Sequence, residues 1–323
     1  MRAVRYEGPG AAGDVLRLVE METPAPAPGE VLVRVRFSGV NPTDWKSRTR
    51  VGMVVPWQIP NQDGAGTIVG VGAGVDPARV GQRVWLFHCA SGRQYGTAAD
   101  FTCVPEGQAV PLPDSISMQQ GAGLGIPYIT AHGCLFAGGD ISGSTILVTG
   151  GAGAVGHAAI ELAHRAGARV IATVSSPEKA AIASAAGADV VLNYRVPGFL
   201  DDLRAAAPHG VDRVVDVAIG ANLVASLSVL RPHGVIVSYA TEESDPTIPV
   251  RQLMTGNVTL AFVVVYGFTP QAIGAAVGDI SAALAEGSLG RLPEHLYSLE
   301  DTASAHDAVE AGALGKVLID LGE

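Results

Sequence analysis

Cysteine and positive charge are both scarce in this sequence. The 323 residues contain three cysteines, Cys89, Cys103 and Cys134, which are too few for a disulfide framework. Lys and Arg number 21 against 31 Asp and Glu, a formal net charge of −10, and no stretch is rich in Lys or Arg. This balance gives no electrostatic footprint for nucleic acid or for an anionic membrane surface, so we expect neither as a partner.

The sequence also lacks the apolar stretches that direct a chain to a membrane or across one. Its first residues, MRAVRYEGPG, have no apolar core like that of a signal peptide, and no uncharged run is long enough to cross a bilayer. The hydrophobic content of 48% nevertheless excludes wholesale disorder. We therefore expect a globular cytoplasmic protein in a reducing compartment, long enough for two domains.

Two sequence textures divide the chain. Up to about Pro113, short alternating segments are separated by Gly and Pro, as in EVLVRVRFSGV. The apolar positions of that segment fall on one side, as a half-buried strand requires: Val31, Val33, Val35 and Phe37. From Ser144, strands rich in Val and Ile alternate with helices, which is typical of parallel β-α-β units in a doubly wound sheet. The pattern predicts an α/β protein in which a mostly β first domain is followed by a second domain with a doubly wound parallel sheet. The last segments, from about residue 270, fall outside the repeating pattern, which leaves open whether they return to the first domain.

A glycine-rich turn at the start of the second texture carries the strongest motif. The segment VTGGAGAVGHAAIELAHRAG runs from a strand into a helix and contains G-x-G-x-x-G. Glycines permit a tight turn and let a pyrophosphate approach the backbone, while the helix start offers free N–H groups. The predicted cofactor contacts here are Gly151, Gly153, Ala154, Val155 and Gly156. The alternative is an ordinary strand-to-helix turn that uses glycine.

The residues after the next strand indicate which dinucleotide binds. NAD sites place Asp or Glu at this strand end to accept hydrogen bonds from the ribose, whereas this chain has Ser175 and Ser176. Lys179 follows one helical turn later, and the following strand ends near Tyr194. Hydroxyl and cationic groups of this kind suit a 2′-phosphate, so the pattern favours NADPH. Taken singly, Lys179 could be a solvated helix lysine and Tyr194 a packing residue.

Several segments together resemble a known family. GVNPTDWK, QDGAGTIVGVGAGV, GQRVWLF, GTAADFTCVP, the glycine turn and the closing HDAVEAGALGKVLIDL look like the medium-chain dehydrogenase/reductase superfamily, and within it the zinc-independent quinone oxidoreductase (zeta-crystallin-like) branch. The resemblance covers essentially the whole chain. It implies a GroES-like first domain over residues 1–122 that is completed by the C-terminal segment 270–323, and a Rossmann dinucleotide-binding domain over 123–269. It also implies that Asn41 and Thr130 lie near the nicotinamide, and that the nicotinamide end is held by Ser238, Tyr239, Ala240, Phe262, Val263 and Val264. We add Ala218 to the predicted cofactor contacts.

The same segments argue against zinc. Zinc-dependent members carry a Cys where this chain has Asn41, and Gly-His-Glu where it has Asn61-Gln62-Asp63. A structural zinc lobe needs four closely spaced cysteines, and His88 beside Cys89 makes only two ligands. We therefore expect no metal. Without a Lewis acid, alcohol oxidation loses its usual activation.

The remaining chemistry is hydride transfer from NADPH to a quinone or an α,β-unsaturated carbonyl compound, whose developing charge a hydrogen-bond donor can stabilise. Asn41 is the predicted donor, although it could merely hold the turn before Pro42. Tyr128 and Tyr95 are possible proton donors, or else buried tyrosines with satisfied hydroxyls. Two alternatives stay open: an enoyl or double-bond reductase for one biosynthetic intermediate, and a non-catalytic dinucleotide-binding protein with a structural or regulatory role. The apolar segment NVTLAFVVVYGF, placed at a sheet edge, predicts a homodimer.

Overall fold

A computed structural model describes residues 1–50, 55–240 and 244–322. The chain divides into two compact units: Met1–Ile126 together with the residues from Pro293 onward, and Pro127–Leu292. We call these the first unit and the second unit. Across the described ranges, no helix has both the length and the hydrophobicity needed to span a membrane.

The first unit is built mainly of β-strands, as predicted. Its N-terminal strands are β1 (Arg2–Arg5), β2 (Arg17–Glu20), β3 (Glu30–Val40), β4 (Asp63–Val71), β5 (Arg83–Leu86), β6 (Phe101–Pro105) and β7 (Ala109–Pro111). Its helices there are α1 (Ala12–Val15), α2 (Pro42–Thr49) and α3 (Met118–Ala122), and the C-terminal segment adds β14 (Glu294–Ser298), α11 (Thr302–Glu310) and β15 (Lys316–Asp320). Strands β1 and β2 pair with each other, and the others form a sheet of order β14-β15-β3-β4-β5-β7, with β6 also paired to β3.

The long strand β3 shows why this sheet forms. The side predicted to be apolar is buried: Val31 and Val33 are fully inaccessible to solvent. Arg34, which points to the other side, is exposed. One face of the strand therefore lies against a core, as the alternation requires. The C-terminal strand β15 runs antiparallel beside β3, with Val317 opposite Val40. The predicted return of the C-terminal segment to the first domain is thus present in the sheet itself.

The second unit alternates strands and helices. Its elements in chain order are β8 (Thr145–Thr149), α5 (Ala154–Arg165), β9 (Arg169–Val174), α6 (Pro177–Ala185), β10 (Val190–Asn193), α7 (Phe199–Ala206), β11 (Val211–Asp216), α8 (Ile219–Val229), β12 (Leu230–Ser238), α9 (Val250–Thr255), β13 (Thr259–Phe262) and α10 (Pro270–Ala285). The six strands pair in parallel in the order β10-β9-β8-β11-β12-β13. This is the doubly wound arrangement predicted from the alternating texture.

The division of the chain differs from the prediction at the C-terminal return. The first unit resumes at Pro293 and not near residue 270. Helix α10 belongs to the second unit because it packs there: Ile280 and Leu284 are buried, and Asp279 lies 2.8 Å from His132. At the other boundary, helix α4 (Gly125–Phe136) contains the division, four residues beyond the predicted end at residue 122.

Gly39 lies where strand β3 packs closely against the end of α3 and against Lys316 of β15. A Cβ atom at residue 39 would lie 2.2 Å from the carbonyl oxygen of Ala122 and 3.2 Å from Lys316 Cε. We expect Gly39→Ala to lower the free energy of unfolding by about 1–3 kcal/mol, since the backbone must shift to admit the methyl group. Urea unfolding measures this loss. Gly70→Ala in β4 is the matched control, because its Cβ would meet Leu32 at an ordinary 3.6 Å. Equal stability of the two variants would contradict the packing described.

Candidate functional site

The glycine turn connects β8 to α5 at the centre of the parallel sheet of the second unit. Gly151 and Gly156 are buried there, and neither position has room for a side chain. A Cβ atom on Gly156 would lie 2.3 Å from the carbonyl oxygen of Gly150, and one on Gly151 would lie 2.9 Å from Ile160 Cδ1. The glycines therefore let the helix start pack directly against the turn, as the motif predicts.

The start of helix α5 is open. Gly153 is the N-cap residue and no side chain caps the first turn. Gly153 is exposed, and Ala154 and Val155 beside it are only half-buried. The N–H groups at such a helix start carry a partial positive charge and lack partners inside the helix. This part of the turn fits the diphosphate group of a dinucleotide.

The predicted coenzyme-selecting residues lie together at the carboxyl ends of β9 and β10. Asn193 pairs with Val174, and the N–H of Tyr194 donates to the carbonyl oxygen of Val174 at 3.0 Å. Ser176 is the N-cap of α6, and its Oγ accepts from the N–H of Lys179 at 3.3 Å. Tyr194 is 47% exposed, and β9 ends without a carboxylate and is followed by Ser175 and Ser176.

The other predicted contacts lie at the ends of the remaining strands of the sheet. Ala218 follows β11, and its N–H donates to Asp216 Oδ1 at 2.7 Å. Ser238 ends β12, followed by Tyr239 and Ala240, and Phe262 ends β13, followed by Val263 and Val264. The carboxyl ends of parallel strands share one edge of the sheet, where open α/β folds bind their ligands. Thr130 lies on α4 and is 6% exposed.

Asn41 belongs to a buried polar cluster in the first unit. It follows β3 and is the N-cap of α2, where its backbone N–H donates to Asp44 Oδ2 at 2.7 Å. Its side-chain Nδ2 donates to Asp63 Oδ2 at 2.7 Å, and its Oδ1 accepts from Lys316 Nζ at 2.7 Å. Lys316 Nζ also lies 3.7 Å from Asp63 Oδ2. Asn41 is therefore a bonded, buried residue, 2% exposed, and its predicted role toward substrate stays a prediction.

Burial sets the charges in this cluster. The pKa of Asp44 is raised to about 8, first by burial and then by the nearby charge of Asp63. The pKa of Asp63 is raised only to about 6, because Lys316 and Asn41 offset part of the burial. Burial lowers the pKa of Lys316, and the two carboxyl groups counter that effect. Burial thus favours the protonated form of Asp44, whereas Lys316 and Asn41 favour the ionised form of Asp63.

The donor groups at this place do not fit zinc. The positions that carry ligands in zinc enzymes hold Asn41 and Gln62, and the Gln62 amide oxygen already accepts from the N–H of Ala90 at 3.1 Å. The Lys316 ammonium beside Asn41 would repel a second cation. In residues 1–50, 55–240 and 244–322, no group of three or more His, Cys, Asp or Glu side chains could hold a metal ion.

Tyr128 lies in the second unit, where its hydroxyl donates to Glu161 Oε2 at 2.6 Å. Burial and the charge of Glu161 raise the pKa of Tyr128 well above its ordinary value of 10, which makes it a weaker acid. Glu161 also accepts from the N–H of Gly290 at 2.6 Å. This geometry favours the alternative of a buried tyrosine with a satisfied hydroxyl. Tyr95, the other proposed donor, packs edge-on against Trp57 at 5.4 Å between ring centroids.

Two groups of residues were missed by the sequence reasoning. Lys316 appeared only inside a family-like segment, and Asp63 was considered only as a position where zinc enzymes carry another residue. Their contact joins residues far apart in the chain. Glu161 was not considered, and it is 4% exposed. Its position between apolar residues in the helix after the glycine turn was the only available signal.

Comparisons with known proteins show which family this chain resembles over its length. The family model described as "Alcohol dehydrogenase GroES-like domain" matches residues 27–114, and the one described as "Zinc-binding dehydrogenase" matches residues 154–281. The quinone oxidoreductase of Rattus norvegicus is 30% identical, over 99% of this chain and 97% of its own. The structure of Escherichia coli quinone oxidoreductase complexed with NADPH has a TM-score of 0.85 at 25% identity, covering 99% of this chain and 100% of that one.

An NAD-dependent alcohol dehydrogenase is also similar in structure, with a TM-score of 0.88 at 26% identity and full coverage of both chains. The fold therefore occurs with either coenzyme. The fold alone therefore does not distinguish between the two coenzymes.

Glu161 generates a pH-dependent prediction for stability. Burial raises its pKa to about 7 from an ordinary value of 4.5, so the folded protein holds a proton there that the unfolded chain releases. The proton stabilises the fold at low pH, and this contribution is lost as the pH rises from about 4.5 to about 7. Relative to Glu161→Gln, the wild type should lose on the order of 2–3 kcal/mol across that range, measured by urea unfolding. Glu178→Gln, at an exposed position of α6, is the control. A constant difference between wild type and Glu161→Gln would contradict the shifted pKa.

Proposed function

Because this chain belongs to the quinone oxidoreductase branch of the medium-chain dehydrogenase/reductase superfamily, we propose that it is an NADPH-dependent reductase of quinones or α,β-unsaturated carbonyl compounds. The observation that carries the proposal is the open glycine turn at the start of α5 together with the carboxylate-free ends of β9 and β10. It supports a dinucleotide with an additional phosphate on the ribose.

The predicted residues would have the following roles. Gly151, Gly153 and Gly156 would accommodate the diphosphate, and Ser175, Ser176, Lys179 and Tyr194 would bind the 2′-phosphate. Bound NADPH supplies a hydride. The Asn41 amide would donate a hydrogen bond to the substrate oxygen or orient the nicotinamide, and a proton from water would complete the reduction of the substrate. A conjugated acceptor suits this site, because conjugation spreads the developing negative charge onto oxygen without a Lewis acid.

Turnover by the wild-type protein tests the proposal and its two rivals. We expect NADPH oxidation with quinones and enones and none with saturated aldehydes, followed by the loss of NADPH absorbance. Exhaustive chelation should leave the activity intact, and the purified protein should contain less than stoichiometric zinc. Activity confined to a single enoyl compound would favour a dedicated double-bond reductase. Absence of turnover with every acceptor would favour the non-catalytic alternative, and sensitivity to chelators would overturn the zinc-free assignment.

Lys179 tests the choice of coenzyme. Lys179→Ala should weaken NADPH binding by about 1.5–3 kcal/mol, roughly 10- to 150-fold, because one charge-assisted contact to a phosphate is lost. NADH binding should change little. Titration of both coenzymes by fluorescence measures the two affinities.

Arg204→Ala is the control for that experiment. It removes one positive charge from the same unit, at an exposed position in α7 where Arg204 pairs with Asp201. Its affinity for NADPH should equal that of the wild type. An equal loss of NADPH and NADH affinity in Lys179→Ala would show that this lysine does not select the phosphate.

We also propose that the chain forms a homodimer through β13. This strand is the last in the six-stranded order, and a strand at a sheet edge presents unpaired N–H and C=O groups. Phe262 at its end is 65% exposed, and on the preceding helix α9 Val250 is 61% and Met254 71% exposed. Pairing with a second copy would cover both features.

Light scattering after size exclusion should give about twice the 33.0 kDa chain mass. Met254→Asp should shift the population toward the monomer, because the exposed methionine would become a charge at the interface. Val69→Asp, at an exposed position of β4 in the first unit, is the control and should stay dimeric. A monomeric wild type would refute the dimer.

We propose that the protein is located in a reducing compartment, the cytoplasm. Its unpaired cysteines support this location. Cys89, Cys103 and Cys134 are all buried free thiols. Burial raises the pKa of Cys103 and of Cys134 to about 12, which suppresses the reactive thiolate.

A further inference from the structure

We propose that Lys316 and Asp63 are positioning residues that fix the side-chain amide of Asn41 with its nitrogen as the group free to donate. The inference rests on the proposed role of Asn41 as a donor in the reductase reaction. It adds two residues, one of them from the last strand of the chain, to the set on which turnover depends.

The sheet of the first unit brings the three side chains together. Strands β15, β3 and β4 are neighbours, with Val317 opposite Val40 and Gly39 opposite Asp63. Lys316 begins β15, Asp63 begins β4, and Asn41 directly follows β3. The register therefore places all three at the same end of adjacent strands, although Lys316 and Asn41 are 275 residues apart in sequence.

The chemistry of the two partners permits only one orientation of the amide. An ammonium group only donates hydrogen bonds, and an ionised carboxylate only accepts them. Asn41 Oδ1 accepts from Lys316 Nζ at 2.7 Å, and Asn41 Nδ2 donates to Asp63 Oδ2 at 2.7 Å. Rotation of the amide by half a turn would set N–H against ammonium and oxygen against carboxylate. Asp63 uses one of the two hydrogens on Nδ2, so the other remains for a further acceptor.

Each partner is itself held in place. Both oxygens of Asp63 accept from the N–H of Ile126, at 2.9 and 3.0 Å, and Asp63 is fully buried. Gly125 permits this approach, since a Cβ atom there would lie 2.2 Å from Asp63 Oδ1. Lys316 is 5% exposed and lies 3.7 Å from Asp63. Such surrounding hydrogen bonds are the usual means by which a functional group keeps its direction.

A double-mutant cycle on the full-length enzyme tests the proposal. Asn41→Ala should lower kcat for an enone about a hundredfold, as the loss of a transition-state donor does. Lys316→Met keeps the length of the side chain and removes the donor, and it should lower kcat by about tenfold or more, because a misdirected group loses its effect. In the Asn41→Ala background, Lys316→Met should have no further effect on kcat. The KM for NADPH should change less than about twofold in all three variants.

Two further variants separate positioning from a loss of fold. Arg48→Met removes another buried cation of the first unit, which bonds to the Gly10 carbonyl oxygen and pairs with Glu310. It should lower thermal stability while kcat per folded molecule stays at the wild-type value. If Lys316→Met does not fold, Asp63→Asn replaces it, since this isosteric change also frees the amide to rotate, and its effect on kcat should vanish in the Asn41→Ala background.

The outcomes distinguish this proposal from the proposed function. Turnover of enones and quinones by the wild type decides the function independently of the cycle. A normal kcat in Asn41→Ala would overturn the donor role and the positioning role together, while leaving the reductase assignment standing. A low kcat in Asn41→Ala with a normal kcat in Lys316→Met, or an equal effect of Lys316→Met in both backgrounds, would overturn positioning alone.

Discussion

A buried ammonium group between an amide and a carboxylate is the constraint around which the first unit is organised. Lys316 and Asp63 are nearly or fully inaccessible, and burying either charge alone would cost several kcal/mol. The pair is tolerable because each charge meets the other and because Asn41 and the start of α4 supply further hydrogen bonds. The second carboxyl group, Asp44, fits beside them when it holds a proton, since burial raises its pKa to about 8.

The second unit depends on the opposite device, the absence of side chains. Gly151 and Gly156 remove the atoms that would separate helix α5 from the turn, and Gly153 leaves the helix start without a cap. The same edge of the sheet ends in serines where a ribose-binding acid would stand. The first unit thus has Asn41 and Gln62 in place of zinc ligands, and the second unit lacks side chains at its turn and a carboxylate at the end of β9.

Local patterns in the sequence predicted the local structure well. The alternation in β3 predicted the mostly β first unit, and the Val-rich strands between helices predicted the doubly wound sheet of the second unit. Both were predictable because a strand buried on one face has alternating apolar residues and a strand buried on both faces has a continuous apolar run. The motif Gly151–Gly156 was found for the same reason: its geometry is contained in six consecutive residues. Helix α10 was assigned to the wrong unit, since an apolar helix face does not specify which core it covers. The Lys316–Asn41 contact and the burial of Glu161 were not predicted, because sheet register and tertiary packing create them and no short segment encodes either.

The most direct test of metal-free hydride transfer is isotopic. NADPH carrying deuterium at both C4 positions is supplied to protein stripped of metal, with an enone as acceptor, and the reduced product is analysed by NMR. We expect one deuterium at the β-carbon of the product at an undiminished rate. Product without deuterium at that carbon, or a rate restored only by added zinc, would contradict metal-free hydride transfer from NADPH.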